Sequence, residues 1–374
     1  MARPRLSPIR FGETMVRRVL LVRGPRLSKD SGLGRAHHSI ETLLKRALVP
    51  NWTKIKTIEH KQMDTLFSRA MKRWFSHPRI VSQVSESTEA DLIHITDQEQ
   101  AHLVPKRSKV PVIVTVHDLF HIRPRIIDGG DVLVPVGDQK PGFFRRIDLK
   151  NLEKGLQRAD LLICISEATL EDVKRTFPGK PVALVRHQID TEYWSPTLNP
   201  MSRDILGDLD DESKMLVITL GSNEKRKRLD FVRRVISSLP EEVSKDINLI
   251  HVGSDVKVSD DQLLAVLQNA EVLLFPSASE GFGYPPAEAM AAGCMVLASD
   301  LPAHNEIIPD SNLLPPISIQ DWVSELTKIH ADWRAAGGVP RHPSDELMEH
   351  VKNILSPESQ GISLAEAYEK VFLA

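Results

Sequence analysis

The decisive stretch of this sequence reads Ser279-Glu280-Gly281-Phe282-Gly283-Tyr284-Pro285-Pro286-Ala287-Glu288-Ala289-Met290-Ala291-Ala292-Gly293. The apolar run before it, residues 270–276, predicts a short buried strand. Pro285 and Pro286 suit the first helical turn, where a missing N–H costs nothing, and Gly293 suits the helix end. Strand, glycine turn and helix in this order predict one unit of a parallel α/β sheet.

The turn between this strand and this helix is suited to binding a ligand. Free N–H groups at the helix start favour a phosphate or a sugar hydroxyl beside Gly281, Phe282 and Gly283. The carboxylates of Glu280 and Glu288 can accept hydrogen bonds from hydroxyls. A purely structural role is the alternative, because acidic residues near a helix start and glycines in a loop are both ordinary.

Composition indicates a globular protein of two domains. The chain has 374 residues, of which 41% are hydrophobic and 26% are charged, and this length exceeds that of a usual single core. No apolar run approaches the length of a membrane-spanning helix, and residues 1–14 lack the apolar core of a signal peptide. Cys164 and Cys294 both lie in apolar, strand-like runs, which predicts buried thiols and a reducing compartment.

The first part of the chain is strongly basic. Residues 1–80 contain 18 lysines and arginines against 5 acidic residues, and the sign alone suits nucleic acid, anionic lipid or simple solvation. Residues 54–79 place most of their apolar side chains on one helical stripe. The stripe either faces the core, with a solvated basic back, or docks on an anionic membrane. Nucleic acid is not among the expected partners.

Two series of strand candidates divide the chain. The first comprises residues 16–22, 92–95, 110–116, 161–165 and 182–185, and the second comprises residues 216–220, 247–252, 272–275 and 295–298. Helical or loop segments separate the strands, so each series predicts a parallel sheet. The expected fold class is therefore α/β, with two doubly wound units facing across a cleft where a ligand binds.

A second informative stretch follows the first strand of the second series. It reads Leu220-Gly221-Ser222-Asn223-Glu224-Lys225-Arg226-Lys227-Arg228-Leu229-Asp230, with four consecutive cations. A solvated helix start is the alternative for a lone cation run. Because this run ends a strand of the same domain as the glutamate stretch, it favours a diphosphate clamp.

Together the two stretches resemble the signature of retaining family 4 glycosyltransferases, which have the GT-B fold of two Rossmann-like domains. The resemblance runs from about residue 16 to the end and is strongest between residues 271 and 306. It implies that Arg226 and Lys227 neutralise the diphosphate of a nucleotide sugar. It also implies that Glu288 binds the ribose hydroxyls, and that Glu280 binds the donor sugar together with the amides of Gly281, Phe282 and Gly283.

Two motifs of the first domain gain a role from the same resemblance. The strand Val114-Thr115-Val116 ends on His117 and Asp118, and either side chain could be structural. The resemblance places His117 against the donor sugar, through its ring or its backbone carbonyl, and leaves Asp118 to orient the imidazole or line the acceptor site. The turn around Gly34 lacks the third glycine of a dinucleotide fingerprint, and the resemblance implies that its amide meets the distal phosphate.

The resemblance predicts a retaining hexosyltransferase in which His117, Glu280, Arg226 and Lys227 are catalytic. The donor is expected to be a UDP- or GDP-sugar, with no further cofactor, and the acceptor a glycan, a lipid-linked or a small molecule. A metal is not expected, since Asp208-Leu209-Asp210 lies in an acidic linker rather than at a strand end. A non-catalytic GT-B scaffold and a sugar-nucleotide epimerase or phosphorylase are the alternatives.

Domain limits and location complete the expectations. Residues 1–14 are expected to be a disordered extension, 15–200 the acceptor-side domain and 201–360 the nucleotide-sugar domain. Residues 361–374 are expected to form a helix that returns to the first domain, as in GT-B proteins. The expected location is the cytoplasm, with peripheral binding to the inner face of the cell membrane through the basic N-terminal region.

Overall fold

The computed structural model describes residues 10–11, 14–28, 31–253, 255–339 and 343–373. The chain divides into two compact units. Residues 1–122, 140–188 and 357–374 belong to the first, and residues 123–139 and 189–356 belong to the second. The predicted boundary at residue 200 falls inside the second unit, and residues 123–139, expected in the first domain, belong to the second.

The first unit is built on a six-stranded sheet in which all strands are parallel. Its strands are β1 (Arg17–Pro25), β2 (Trp52–His60), β3 (Leu92–Ile95), β4 (Val112–Val116), β5 (Leu161–Cys164) and β6 (Val182–Leu184). Their order in the sheet is β6-β5-β4-β3-β1-β2. All the predicted strands of the first series are present.

Both faces of this sheet are covered, as a doubly wound fold requires. Alternate side chains of a strand point to opposite faces, and on β1 Leu20 and Val22 enter one apolar cluster while Val19 and Leu21 enter another. The helices of this unit are Gly32–Lys45, Leu66–Met71, His77–Ser87, Phe143–Arg158, Glu167–Thr176 and Pro357–Lys370, with a π-helix at Lys72–Ser76 and a 3-10 helix at Gln98–Leu103. The helix Pro357–Lys370 packs on the second of these clusters through Leu364 and Tyr368.

The prediction of one amphipathic helical stripe over residues 54–79 is wrong for its first part. Residues 54–60 lie in β2, which pairs with β1 at the edge of the sheet. Isoleucine and threonine recur at Ile55, Thr57 and Ile58, and β-branched side chains favour strands over helices. Most of the remaining apolar side chains of this segment do not face the core: Leu66, Phe67, Met71 and Phe75 are exposed, and Ala70 and Trp74 are half-buried.

The second unit contains a five-stranded parallel sheet. Its strands are β7 (Met215–Gly221), β8 (Ile247–Gly253), β9 (Val272–Phe275), β10 (Met295–Ser299) and β11 (Leu313–Leu314), in the order β8-β7-β9-β10-β11. Its helices are Thr191–Trp194, Leu229–Ser237, Glu241–Ser244, Asp260–Asn269, Tyr284–Ala291, Pro302–Asn305, Ile319–Ala335 and Asp345–Ile354, with 3-10 helices at Arg203–Leu209, Lys225–Lys227 and Asp310–Asn312.

Residues 204–213, predicted as a linker between domains, belong to the second unit and lie on its surface, anchored at a few points. Leu206 is buried, and the Asn269 amide donates to the carbonyl of Met201, 3.2 Å away. Arg203 forms an ion pair with Asp210, which engages one carboxylate of the Asp-x-Asp sequence. The ion pair between Arg203 and Asp210 therefore helps to hold this polar segment in one conformation.

Two short antiparallel pairs complete the structure. Arg125–Asp128 pairs with Leu133–Val136 in the second unit, and Arg10–Phe11 pairs with Thr14–Met15. Of residues 1–14, expected to be a disordered extension, residues 10, 11 and 14 lie in this pair, and the rest of that range lies outside the described residues. Cys164 and Cys294 are buried free thiols, as predicted. Within the described residues, no helix combines the length and hydropathy needed to cross a bilayer.

Candidate functional site

The two informative stretches meet at one end of the second sheet. Strand β7 is flanked by β8 and β9, so the strand order reverses beside it, and ligands of doubly wound folds bind at the carboxyl ends of strands at such a point. The cation run follows β7 and the glutamate stretch follows β9. The Ala278 amide donates to the Arg226 carbonyl at 2.7 Å, which ties the two loops together.

The centre of this site is the carboxylate of Glu280. Arg226 Nη1 lies 3.0 Å from its Oε2, and Lys227 Nζ lies 2.7 Å from its Oε1. The side chain of Glu280 is only 8% exposed, against 18% and 14% for the two cations. Glu224 also pairs with Arg226, but its side chain is 56% exposed. In the buried part of the cluster two cations therefore face one carboxylate, which suits an anionic ligand.

The ionisation state of Glu280 follows from its surroundings. Burial alone would raise the pKa of this carboxyl, but Lys227 and Arg226 outweigh it and lower the pKa to about 2. The group is therefore a carboxylate at any physiological pH. A carboxylate can only accept hydrogen bonds, so Glu280 can bind hydroxyl groups but cannot serve as a proton donor.

The fourth cation of the run has a different role. Arg228 is 1% exposed, and its guanidinium donates to the carbonyls of Pro316 and Gly129. It also lies 4.3 Å from the centroid of the Phe231 ring. Its backbone has φ 55° and ψ 45°, the left-handed conformation that ends the 3-10 helix. Arg228 therefore holds the loop in place, while Arg226 and Lys227 face Glu280.

The glycine turn has a backbone that a larger residue cannot adopt easily. Gly283 is the N-cap of the helix Tyr284–Ala291 and has φ 112°, a conformation that L side chains rarely take. A Cβ atom there would meet the Ile307 and His304 side chains at 3.4 and 3.5 Å. Gly281 is half-buried and Phe282 is buried, with its ring 5.3 Å from that of Tyr284.

Replacing Gly283 with alanine is expected to lower the free energy of unfolding by about 1–3 kcal/mol, because the left-handed backbone becomes strained. Urea denaturation measures this. The matched control is Gly142→Ala, since Gly142 is also a helix N-cap but has φ −65° and free space around a Cβ. Equal losses in the two variants would contradict the strain at Gly283.

Glu288 lies in the middle of the helix Tyr284–Ala291 and is 3% exposed. The sequence assigns it to ribose hydroxyls, and that assignment stays a prediction. Burying a carboxylate costs free energy unless hydrogen bonds or an ion pair compensate for the lost water. The low exposure of Glu288 therefore requires hydrogen-bond partners for its carboxylate within the protein or from a ligand.

Comparison with known protein families covers most of the chain in two parts. The model described as Glycosyltransferase Family 4 matches residues 41–193, and the model described as Glycosyl transferases group 1 matches residues 256–337. The second match includes the glutamate stretch. The chain belongs to the family 4 glycosyltransferases.

Individual relatives of this family 4 chain are distant. It is 26% identical over 275 residues to the MMP alpha-(1->4)-mannosyltransferase of Mycolicibacterium hassiacum, which covers 70% of this chain and 65% of the relative. It is 33% identical over 105 residues to the O-antigen chain mannosyltransferase RfbU of Salmonella typhimurium, covering 27% of this chain and 30% of the relative. The chain therefore spans less than two thirds of the length of these relatives.

Solved structures support the fold of the family 4 chain. Sucrose-phosphate synthase from Thermosynechococcus elongatus superposes with a TM-score of 0.71 at 15% identity, covering 96% of this chain and all of the other. Anabaena HepE in complex with UDP and glucose gives 0.64 at 13% identity, covering 95% and 100%. The prediction of a GT-B fold built from two Rossmann-like α/β units is confirmed.

In the first unit of this family 4 chain, His117 is bound on both ring nitrogens. Nε2 lies 3.0 Å from the carbonyl of Thr96, and a carbonyl can only accept, so Nε2 carries the proton. Nδ1 then accepts from His187 Nε2 at 3.3 Å. Burial lowers the pKa of His117. The backbone carbonyl of His117 accepts from the Thr169 hydroxyl at 3.3 Å, but a carbonyl has two lone pairs and can accept a second hydrogen bond. Of the two predicted modes of sugar binding, the carbonyl therefore requires the smaller change.

The other two first-unit candidates also have local partners. The Gly34 amide donates to the hydroxyl of Ser31 at 3.0 Å, so Ser31 caps the start of the helix Gly32–Lys45. A Cβ on Gly34 would lie 1.8 Å from the Ser28 carbonyl, which explains the glycine by close packing alone. Asp118 is half-buried and accepts from the Phe120 amide at 3.0 Å. Binding roles for these residues stay predictions.

Two residues near Glu280 were missed by the sequence analysis. Arg125 donates to the Ser279 hydroxyl at 2.7 Å, although 154 residues separate the two. His304 is fully buried, and its Nδ1 donates to the Ser299 carbonyl at 2.7 Å. Its Nε2 has no hydrogen-bond partner among the described residues, and the same edge of the ring faces Gly283.

No signal in the sequence marks Arg125, because it lies in a hairpin of the second unit that is separated in the chain from the rest of that unit. His304 could have been flagged by its position, since it follows β10 in the same way that the glutamate stretch follows β9. A metal centre is not apparent in the described residues, where no three His, Cys, Asp or Glu side chains form a suitable group.

Proposed function

We propose that this chain is a glycosyltransferase that moves a hexose from a nucleoside diphosphate sugar to a glycan, lipid-linked or small-molecule acceptor. The reaction retains the anomeric configuration and uses no bound metal. The observation that carries the proposal is the buried Glu280 carboxylate between Arg226 and Lys227, next to the glycine turn. The matched relatives named as mannosyltransferases support the same reaction class.

The cluster supplies what this reaction requires. Departure of a nucleoside diphosphate leaves negative charge on the phosphate oxygens, and fixed cations in a water-poor site stabilise that charge. Arg226 and Lys227 provide two such cations. When they turn to the diphosphate, the Glu280 carboxylate becomes available to the hydroxyls of the donor sugar. Glu288 is assigned to the ribose, and Gly281, Phe282 and Gly283 to the sugar through their amides.

The donor nucleotide is proposed to be UDP or GDP, with no further cofactor. HepE, which shares the fold, was solved with UDP and glucose. His117, Gly34 and Asp118 keep the roles predicted from the family resemblance. A cytoplasmic location, with peripheral binding to the inner face of the membrane, is likewise carried forward as a proposal.

Titration calorimetry with UDP and with GDP tests the proposal directly. The intact protein is expected to bind one of them, and Lys227→Met is expected to weaken that binding by about tenfold or more, because it removes one charge-assisted contact to phosphate. The matched control is Lys225→Met, since Lys225 lies in the same cation run but is exposed. Its binding is expected to equal that of the unchanged protein.

Two outcomes would favour the other classes of protein. Absence of binding for both nucleotides would support a non-catalytic GT-B scaffold. Conversion of a nucleotide sugar to an isomer without any acceptor would support an epimerase.

A further inference from the structure

We propose that the first unit carries a docking surface for an anionic lipid bilayer. The surface, called the aromatic patch here, consists of Leu66, Phe67, Met71, Phe75, Phe143 and Phe144. All six side chains are exposed, and Leu66, Phe67, Phe143 and Phe144 are exposed by 82, 77, 72 and 68%. Contiguous apolar surface of this kind on a folded protein marks an interaction site. This inference rests on the peripheral membrane binding included in the proposed function and assigns it to named residues, whereas sugar transfer itself is tested separately by nucleotide binding.

The patch is continuous within each of its two helical segments. Leu66–Met71 and Lys72–Ser76 follow each other without a break, and Phe67, Met71 and Phe75 recur at every fourth residue. Side chains with this spacing lie on one helix face. The Phe143 and Phe144 rings at the start of the second segment lie 5.6 Å apart.

A network of charges holds the two segments together. Arg73 Nε and Nη2 lie 2.8 and 3.0 Å from the two carboxylate oxygens of Asp148, and the Trp74 indole donates to the same carboxylate at 3.2 Å. Arg145 bridges Asp148 and Glu99. Asp148 itself is buried. The Trp74 ring then lies 6.1 Å from that of Phe144, so the two halves of the patch adjoin on one rigid surface.

The charge around the patch is mainly positive, with Asp64 as an exposed acidic residue two positions before Leu66. Residues 65–85 contain four lysines and arginines and no acidic residue. Arg69 and Arg79 are exposed beside the first segment, and Arg146 and Lys150 are exposed beside the second. Apolar side chains surrounded by cations are the combination that binds the headgroup region of anionic bilayers.

This charge pattern favours a bilayer over the two other possible occupants. A second copy of this chain, packed face to face, would place the cationic rims against each other, and like charges across an interface are unfavourable. Bases of single-stranded nucleic acid stack on aromatic rings, which the phenylalanines of the patch supply, but such a ligand leaves the aliphatic side chains of Leu66 and Met71 without a partner. A bilayer accommodates aliphatic and aromatic side chains equally.

Vesicle flotation tests the inference. The intact protein is expected to float with vesicles of phosphatidylcholine and phosphatidylglycerol at low salt, and to float less at high salt or with phosphatidylcholine alone. The double variant Phe67→Ser, Phe144→Ser is expected to lose at least about tenfold in partition coefficient, because two apolar side chains no longer enter the bilayer. The matched control is Leu133→Ser, Leu198→Ser, since both leucines are 70% exposed in the second unit; it is expected to bind like the intact protein.

Four results would overturn the inference. The first is no flotation of the intact protein with anionic vesicles, and the second is equal flotation of the two double variants. The third is a dimer in sedimentation velocity that the patch variant dissociates, which would assign the surface to a second copy. The fourth is binding of a single-stranded oligonucleotide that the patch variant abolishes. Circular dichroism of each variant verifies that the fold is retained.

Discussion

Replacing Glu280 with glutamine is expected to lower the turnover number for sugar transfer by about 100- to 1,000-fold, the usual effect of removing one fixed polar group that acts on the transition state. Glutamine keeps the shape of the side chain but removes the charge that Arg226 and Lys227 hold in place. Its amide can no longer accept from sugar hydroxyls at both ends. Initial rates at saturating donor and acceptor measure the effect.

Glu224→Gln is the matched control for this experiment. Glu224 also pairs with Arg226, at 2.7 Å, but its side chain is 56% exposed, so solvent screens the pair and a change of at most a few-fold is expected. Alanine is a poorer choice than glutamine at position 280, because it leaves two cations without their buried partner. Retention of more than about a tenth of the turnover in Glu280→Gln would refute the assigned role.

Acidification is expected to destabilise the first unit steeply between pH 6.5 and about 3. Burial is the main cause that lowers the pKa values of His37, His94 and His102 to about 3. In the unfolded chain these groups bind protons below about pH 6.5, whereas the folded unit excludes them down to about pH 3. The stabilisation is therefore complete above pH 6.5 and is lost as the pH falls through this window, by up to about 1.4 kcal/mol per pH unit for each histidine.

Urea denaturation at several pH values, followed by hydrogen exchange of first-unit peptides, measures this loss. His94→Gln is expected to reduce the slope of stability against pH by about one proton. Its ring nitrogens lie 2.8 and 2.7 Å from the hydroxyls of Tyr368 and Thr115, so some stability is lost at neutral pH as well. His121→Gln, at an exposed position, is the control. An unchanged slope in His94→Gln would contradict the prediction.

Most strands of the two sheets could be predicted from the sequence, because each is a short apolar run that can be identified without knowing which strand it pairs with. Leu92–Ile95 and Val272–Phe275 were predicted to the residue. The edge strand Trp52–His60 was missed, since it is buried on one side only and carries lysines between its apolar residues. Helical periodicity and strand alternation overlap in such a run.

The sequence predicted which residues form the candidate site, but not which of their side chains contact each other. The sequence placed Arg226, Lys227 and Glu280 in one domain, and the structure shows that they contact each other directly. Arg125 could not be assigned, because its partner Ser279 lies far along the chain. The two bonds that occupy the His117 ring likewise come from His187 and Thr96, neither of which is its neighbour in sequence.

The division of the chain between the two units determines which unit can finish folding first during synthesis on the ribosome. The first unit includes residues 357–373, and Tyr368 supplies a hydrogen bond to the buried His94. The second unit needs nothing beyond residue 356. During synthesis, the second unit can therefore complete its fold first, while the nascent first unit still lacks its last helix and Nδ1 of the buried His94 lacks its Tyr368 partner.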